Sequence, residues 1–288
     1  MIKALFYILS RLPRAFFVIL IDIYLYLRIY KLFVSFKITK INLKIAYPDL
    51  NNLNIELLAK LSIRESLISG YETIYTWGNK THDSNEMIFR IENNFLLNNY
   101  KLHGKGMILV ALHNRSVDML LAWICSQTAT VSLYKKIKNN ALDLFVKNKR
   151  ELDGSICVET SITGVRRIYK ALKQNKVICF AADQVPQRGM GEYIKFFNRD
   201  SYSTTLVQSL ALKTGCPLVY FYINSNKGNY LTVTLETINK SIYSDSKRSQ
   251  IINKGIEKII NKRPIDYSWE YKRFKKSKSD QQDPYSGI

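Results

Sequence analysis

The sequence is poor in the residues that define several classes of protein. It has only four cysteines, six prolines and 12 glycines among 288 residues. So few cysteines exclude a disulfide-stapled scaffold, and so little glycine and proline excludes a fibrous or low-complexity chain. A hydrophobic content of 47% excludes a largely disordered chain. The composition therefore indicates a folded protein of one large domain or two small ones.

The cysteines also fail to form any recognisable site. Cys125, Cys157, Cys179 and Cys216 contain no Cys-x-x-Cys pair, and no Cys/His set has the spacing of metal ligands. Two of them lie within apolar runs, where a free cysteine behaves as a small buried hydrophobe. We therefore expect reduced, buried thiols in a reducing compartment, no metal and no bound cofactor.

Acidic residues are scarce relative to basic ones. The chain has 43 Lys and Arg against 23 Asp and Glu, a net charge of +20 at pH 7. Such an excess favours a polyanionic partner: nucleic acid, an anionic membrane surface or a phosphorylated substrate. Nineteen tyrosines and 13 phenylalanines suit both membranes and RNA. No zinc-finger spacing, RNP motif or helix-turn-helix signature accompanies them, which argues against nucleic acid.

The N-terminal region holds the longest apolar segment. Residues 15–27 read AFFVILIDIYLYL, are apolar except for Asp22, and lie between Arg14 and Arg28. The segment is shorter than the roughly 20 apolar residues of a spanning helix, and no small-residue cleavage site follows it. A helix lying at one face of a membrane fits best, with a buried core helix as the alternative. The aromatic side chains expected at headgroup level are Tyr24, Tyr26 and Tyr30. We assign residues 1–36 to a membrane-anchoring segment.

The rest of the chain divides into a helical part and an α/β part. Residues 37–100 place apolar side chains mostly three and four positions apart, which predicts amphipathic helices. Beyond Gly104, short apolar runs rich in β-formers alternate with helical patterns, which predicts an α/β fold with a mostly parallel central sheet flanked by helices. The predicted strands are 106–112, 129–134, 155–158, 176–182, 217–223 and 230–236. The predicted helices are 118–126, 139–150, 162–174, 203–214 and 246–262. One domain spans 37–276, and a polar tail spans 277–288.

Polar residues at the ends of two predicted strands are candidates for chemistry, because parallel sheets bind ligands at the carboxyl ends of their strands. His113 follows the strand 106–112, and Asp118 lies five positions later. Across a tight turn the Asp118 carboxylate would orient the imidazole, and the other ring nitrogen would accept a proton. No G-x-S-x-G nucleophile motif is present, so a substrate hydroxyl is the natural proton source. The alternative is a strand-capping His113 and a helix-starting Asp118.

The strand 176–182 delivers a second polar pair, Asp183 and Gln184. Asp183 could orient an arginine or a substrate hydroxyl, and Gln184 could hydrogen-bond a polar headgroup. Turn chemistry in the following Pro-Gln-Arg-Gly is the simpler explanation of this segment.

Taken together, these motifs resemble the late acyltransferases of lipid A biosynthesis, within the lysophospholipid acyltransferase-like group. His-x4-Asp after an apolar strand and Phe-Ala-Ala-Asp-Gln further on carry the resemblance. Departures include Asp118 where the family often has Glu, and Asn198 where it usually has Gly. Segments similar to other family motifs are 42–50, 138–150, 164–172, 196–204 and 264–275. The likeness covers the chain to about residue 276.

The resemblance implies an acyl transfer at the cytoplasmic face of the inner membrane. A fatty acyl thioester, on acyl carrier protein or coenzyme A, would react with a hydroxyl of a lipid A precursor, an anionic glycolipid. In this scheme His113 is the general base, Asp118 holds its ring, and Arg150 stabilises the oxyanion or binds phosphate. Asp183 and Gln184 line the pocket. Another glycolipid or phospholipid acceptor, or a non-catalytic basic protein at a membrane surface or on nucleic acid, remains the alternative.

Overall fold

The computed structural model describes residues 2–80, 85–103, 106–226, 230–244 and 248–288. Its helices are α1 (Ile2–Ser10), α2 (Arg14–Tyr26), α3 (Val34–Ala46), α4 (Asn52–Gly78), α5 (Phe95–His103), α6 (Val117–Gln127), α7 (Asn140–Arg150), α8 (Ile162–Lys173), α9 (Leu206–Thr214) and α10 (Arg248–Lys262). Its strands are β1 (Ile88–Glu92), β2 (Met107–Ala111), β3 (Thr130–Tyr134), β4 (Ile156–Glu159), β5 (Val177–Ala181), β6 (Gly191–Phe196), β7 (Arg199–Thr204), β8 (Leu218–Ser225) and β9 (Leu231–Thr237).

Seven strands form one sheet in the order β1-β9-β8-β2-β5-β3-β4. Neighbouring strands run parallel except for the antiparallel pair β8 and β9. Every residue of β2 is buried, because helices cover both faces of the sheet and each face has its own apolar core. This explains why the central strands read as continuous apolar runs rather than alternating ones. The predicted fold class and the six predicted strands are confirmed.

Three features depart from the sequence prediction. The described part of the region 37–100 is mostly helical, as expected, but it also contains β1, a short edge strand that pairs with β9. The predicted helix 203–214 begins only at Leu206, since the residues before it belong to β7. Strands β6 and β7 form a separate antiparallel hairpin that was not predicted. Strand β1 and the β6–β7 hairpin were not predicted because their strands are short and mix polar with apolar residues. They therefore lack the apolar runs that mark the buried strands.

Helices α1 and α2 pack against the long helix α4. Asp22, the charge that interrupts the apolar segment, forms an ion pair with Arg64 of α4, with 2.7 Å between Oδ1 and Nε. Among the described residues no single helix is both long and apolar enough to cross a membrane; α1 and α2 pass that test only together, with a bend of 92° between them. Tyr26 is exposed, but Tyr30 is buried with its ring against Phe36. The headgroup position predicted for Tyr30 is therefore wrong.

The polar tail folds back onto the domain. Tyr285 is buried, and its hydroxyl donates to Oδ1 of Asn42 at 2.5 Å. The amide of Asn42 in turn donates to the carbonyl oxygens of Trp269 and Tyr271 at 2.7 and 2.8 Å. One buried side chain thus joins α3, the segment after α10 and the C-terminal residues, which are far apart in sequence.

The cysteines are free and buried, as predicted. Burial raises the pKa of the Cys157 thiol to about 12, so a thiolate is scarce at neutral pH. Cys157 is therefore a poor nucleophile at neutral pH.

Candidate active site

The parallel pairing of β2 and β5 brings the two polar strand ends together. Ala111 and Ala181 are partners in the register of these strands, and the backbone N–H of Ala182 donates to the carbonyl oxygen of Ala111 at 3.0 Å. Two residues beyond that register lie His113 and Asp183. Strand geometry alone therefore sets the carboxylate beside the imidazole, although 70 positions separate them in the chain.

Asp183 holds His113 through two hydrogen bonds. Its Oδ1 lies 2.9 Å from Nδ1 of the ring, and its Oδ2 accepts from the backbone N–H of His113 at 3.0 Å. The side chain of Asp183 is buried, whereas that of His113 is 31% exposed. A carboxylate on Nδ1 favours the tautomer with the proton on that nitrogen, which leaves the Nε2 lone pair free to accept a proton.

The same contacts set the direction of both pKa shifts. Enclosure by the protein lowers the pKa of His113, but the charge and hydrogen bond of Asp183 outweigh it, so the pKa is raised. Burial raises the pKa of Asp183, yet the interaction with His113 outweighs that effect and the pKa is lowered. The two groups therefore stabilise each other's charged forms, as a base that becomes an imidazolium during reaction requires.

The hydrogen bonds of Asp118 differ from those expected for the predicted His113–Asp118 dyad. This carboxylate lies in the first turn of α6 and pairs with Arg150, whose Nε and Nη2 are 2.7 and 3.0 Å from its two oxygens. Arg150 is in the last turn of α7, from which its fork-shaped guanidinium binds the carboxylate through both oxygens. In the described structure the partner of the His113 ring at Nδ1 is therefore Asp183, and the pairing predicted between Asp118 and His113 is not formed.

The Asp118–Arg150 pair still belongs to the same site. Asp118 lies at the start of α6, five residues after His113, and the positive charge of Arg150 acts to lower the pKa of His113. Both side chains are mostly buried, with 11% of Asp118 and 22% of Arg150 exposed. Gln184 follows Asp183 and is half-buried. The structure thus gathers all five residues singled out in the sequence around two strand ends and two helix ends.

The loop after His113 is fixed by Arg115, which the sequence reading missed. Arg115 has a left-handed backbone (φ 54°), an unfavourable conformation for a long side chain. Its guanidinium is buried and bonds to Glu65 and Glu72 of α4, and its backbone N–H donates to Asp266 at 2.9 Å. Burial raises the pKa of Glu72 to about 7. These buried contacts offset the backbone strain and hold the loop that carries the imidazole.

A second buried group lies behind Asp183. Tyr267 is buried, and burial followed by the charge of the Asp183 carboxylate raises the pKa of Tyr267 well above its usual value. Arg273 is also buried and donates to the backbone oxygen of Tyr202 at 3.0 Å and to Ser203 Oγ at 2.6 Å. Both residues lie in the segment 264–275 that resembles a family signature, which was the available signal for their importance.

An apolar cavity of about 460 Å³ opens between α2, α3 and α4. Glu270 lies in its wall and accepts a hydrogen bond from Ser66 at 2.7 Å, and its negative charge also acts to raise the pKa of His113. The remaining lining residues of the cavity are Phe17, Leu20, Ile21, Tyr24, Phe33, Ser35, Ile63 and Leu67.

The family model described as bacterial lipid A biosynthesis acyltransferase matches residues 2–276. The chain belongs to this family. Comparison with curated proteins gives no match. The resemblance drawn from the sequence motifs is confirmed over nearly the whole chain, and with it an acyltransferase of lipid A biosynthesis. The His113 imidazole, held at Nδ1 by the buried carboxylate of Asp183, has the arrangement that removal of a proton from a hydroxyl requires.

Proposed function

We propose that this lipid A biosynthesis acyltransferase transfers a fatty acyl chain from a thioester, carried by acyl carrier protein, to a hydroxyl of a lipid A precursor at the cytoplasmic face of the inner membrane. The observation that carries the proposal is the His113–Asp183 pair, with Nδ1 occupied by the carboxylate and the ring partly exposed. No bound cofactor is needed, since the thioester supplies the activated acyl group.

The reaction needs one base and one site for negative charge. Nε2 of His113 removes the proton of the acceptor hydroxyl, and the resulting alkoxide attacks the thioester carbonyl. Asp183 stabilises the imidazolium that forms. The tetrahedral oxyanion then collapses, the C–S bond breaks, and the imidazolium returns its proton to the leaving thiolate, which yields the ester and the free thiol.

Arg150 is the cation best placed to stabilise the oxyanion. Its charge reaches His113, and Asp118 fixes the guanidinium through both carboxylate oxygens. A preorganised donor of this kind contributes more to the transition state than a mobile one, because its orientation does not change during the reaction. In this proposal Asp118 acts through Arg150, and not through the imidazole as the sequence suggested.

Because Asp118 acts through Arg150 in this proposal, the effects of mutating these two residues on the rate of transfer should not be additive. Asp118→Asn and Arg150→Ala should each slow transfer by about 10²–10³-fold, the usual cost of losing one oxyanion donor. The double variant should be no slower than Arg150→Ala, because both changes remove the same interaction. Initial rates of acyl transfer with purified variants measure this coupling. Losses that multiply in the double variant would show that Asp118 acts independently of Arg150.

The apolar cavity and the basic surface support the substrates proposed. The cavity between α2, α3 and α4 is lined almost entirely by apolar side chains, which suits an acyl chain. A net charge of +20 suits the acidic carrier protein, a phosphorylated glycolipid and an anionic leaflet. Coenzyme A as donor, or another glycolipid as acceptor, would use the same chemistry.

Mass spectrometry of lipid A tests the assignment. Cells that lack the gene should produce lipid A with one acyl chain fewer, and the wild-type gene should restore the missing chain. The His113→Ala gene, expressed to the same level, should not restore it. An unchanged number of acyl chains in the deletion strain would contradict a lipid A acceptor and direct the search to other glycolipids.

A further inference from the structure

The N-terminal half of α4 carries an apolar face that no part of the described chain covers. Leu53, Leu57 and Leu61 lie four residues apart, and 77%, 55% and 38% of their surface is exposed. We call these three residues the leucine stripe. The opposite face of the helix is buried in the core through Ile55 and Ala59. The helix is therefore apolar on two sides, whereas a surface helix normally has one polar face.

The leucine stripe is continuous with the end of the N-terminal apolar segment. Leu53 and Leu57 line a groove of about 530 Å³ together with Tyr26 and Arg28. The segment that forms the other wall of this groove exposes further large apolar side chains: Tyr26, Leu27, Leu32, Phe33 and Val34. Exposed apolar groups this close together form one patch, and a contiguous patch indicates a binding surface.

The charges around this patch are predominantly positive. The carboxylate that lines the groove, Glu56, is paired with Lys31. Arg28 and Lys60 line the same groove, so three of its lining residues are cations and one is a carboxylate. An apolar surface rimmed by excess cations complements an anionic lipid leaflet, where the cations meet phosphate and the leucines enter the acyl boundary. A second copy of this chain would bring like charges together, which disfavours self-association.

We infer that the leucine stripe and the exposed side chains of residues 26–29 and 31–34 form a single membrane-contacting surface that inserts into the headgroup region of an anionic bilayer. The inference rests on the membrane location in the proposed function and extends it from the N-terminal segment to α4. It places two contacts, instead of one, between the domain and the leaflet. Because α4 also carries Glu65 and Glu72, which hold the loop of His113, the surface fixes the orientation of the active site toward the lipid.

A fluorophore on the stripe tests the contact directly. The native cysteines are buried, so Leu57→Cys can be labelled selectively with an environment-sensitive dye. With vesicles of phosphatidylethanolamine and phosphatidylglycerol, its emission should shift to the blue and be quenched by brominated acyl chains. The same dye at Ile162→Cys, a site 70% exposed on α8, should not respond. An unchanged Leu57 signal on vesicle-bound protein overturns the inference, as does a shift without lipid that grows with protein concentration.

Vesicle partitioning tests the energetic contribution. Leu53→Gln/Leu57→Gln should partition onto these vesicles about tenfold or more weakly than wild type, given the transfer free energy of leucine side chains. The matched control Ile162→Gln/Leu212→Gln alters two exposed apolar residues on α8 and α9 and should partition like wild type. Equal partitioning of the stripe variant and wild type would contradict the inference. Transfer in detergent micelles should be unchanged in the stripe variant, so loss of membrane contact is distinguishable from absence of acyltransferase activity.

Discussion

His113→Ala is expected to lose acyl transfer almost completely while keeping the fold. A positioned general base contributes about 10²–10⁴-fold to rate, and in the described site the ring of His113 is the group set to accept the hydroxyl proton. Asp183 is buried and committed to the ring and its backbone N–H, so it is poorly placed to act in its stead. The measurement is the rate of transfer from acyl carrier protein to a lipid A precursor with purified protein.

The variant needs a control for folding, because the backbone of His113 also takes part in the structure. Its carbonyl oxygen accepts from the N–H of Ser268 at 3.0 Å, and alanine retains that bond. His113→Gln keeps a polar side chain without a useful base and should be equally inactive. Circular dichroism should match wild type for both, whereas His113→Ala should unfold at a lower temperature, because the buried Asp183 carboxylate loses its ring partner. Substantial transfer by either well-folded variant would remove His113 from the role of base.

The sequence located both halves of the site but paired them incorrectly. His113 and Asp183 could each be recognised as polar residues ending an apolar strand. Their contact depends on β2 and β5 being neighbours in the sheet, although β3 and β4 lie between them in the chain. Sequence proximity instead favoured Asp118, five positions from His113. Strand order is a property of the whole topology and cannot be deduced from the spacing of two motifs.

The parts that escaped prediction are held by contacts between distant segments. Arg115 looks like a solvent-exposed cation in sequence, and only the folding of α4 across the loop gives it buried carboxylate partners. The tail looks like a solvated polar segment, yet Tyr285 is buried against Asn42. Buried strands, by contrast, were predicted well because burial on both faces leaves a local signature of continuous apolar residues. The local sequence pattern was therefore sufficient to predict the buried strands, whereas the roles of the polar residues depend on tertiary contacts.

Asp183→Asn is expected to cost about 10³–10⁴-fold in transfer rate, the scale seen when an amide replaces the carboxylate behind a catalytic histidine. The amide cannot stabilise an imidazolium, and its NH₂ group facing Nδ1 would favour the tautomer with the proton on Nε2, where the base must be free. The pH profile should change as well. Asp183 raises the pKa of His113 against the lowering effects of enclosure and Arg150, so its loss should move the acid limb of the profile to lower pH.

The same carboxylate-to-amide change at a residue away from the site provides the control for Asp183→Asn. Asp200→Asn makes the same chemical change at a residue paired with Lys278, outside the contacts of the site, and should leave both the rate and the acid limb unchanged. Comparing Asp183→Asn with Asp118→Asn then identifies the partner of the ring. Asp183→Asn should give the larger loss of rate, and its effect should persist in an Arg150→Ala background, where Asp118→Asn should have no further effect. A nearly wild-type rate with an unmoved acid limb in Asp183→Asn would show that the base is oriented without the carboxylate of Asp183. Asp118 would then be the stronger candidate for the partner of the His113 ring.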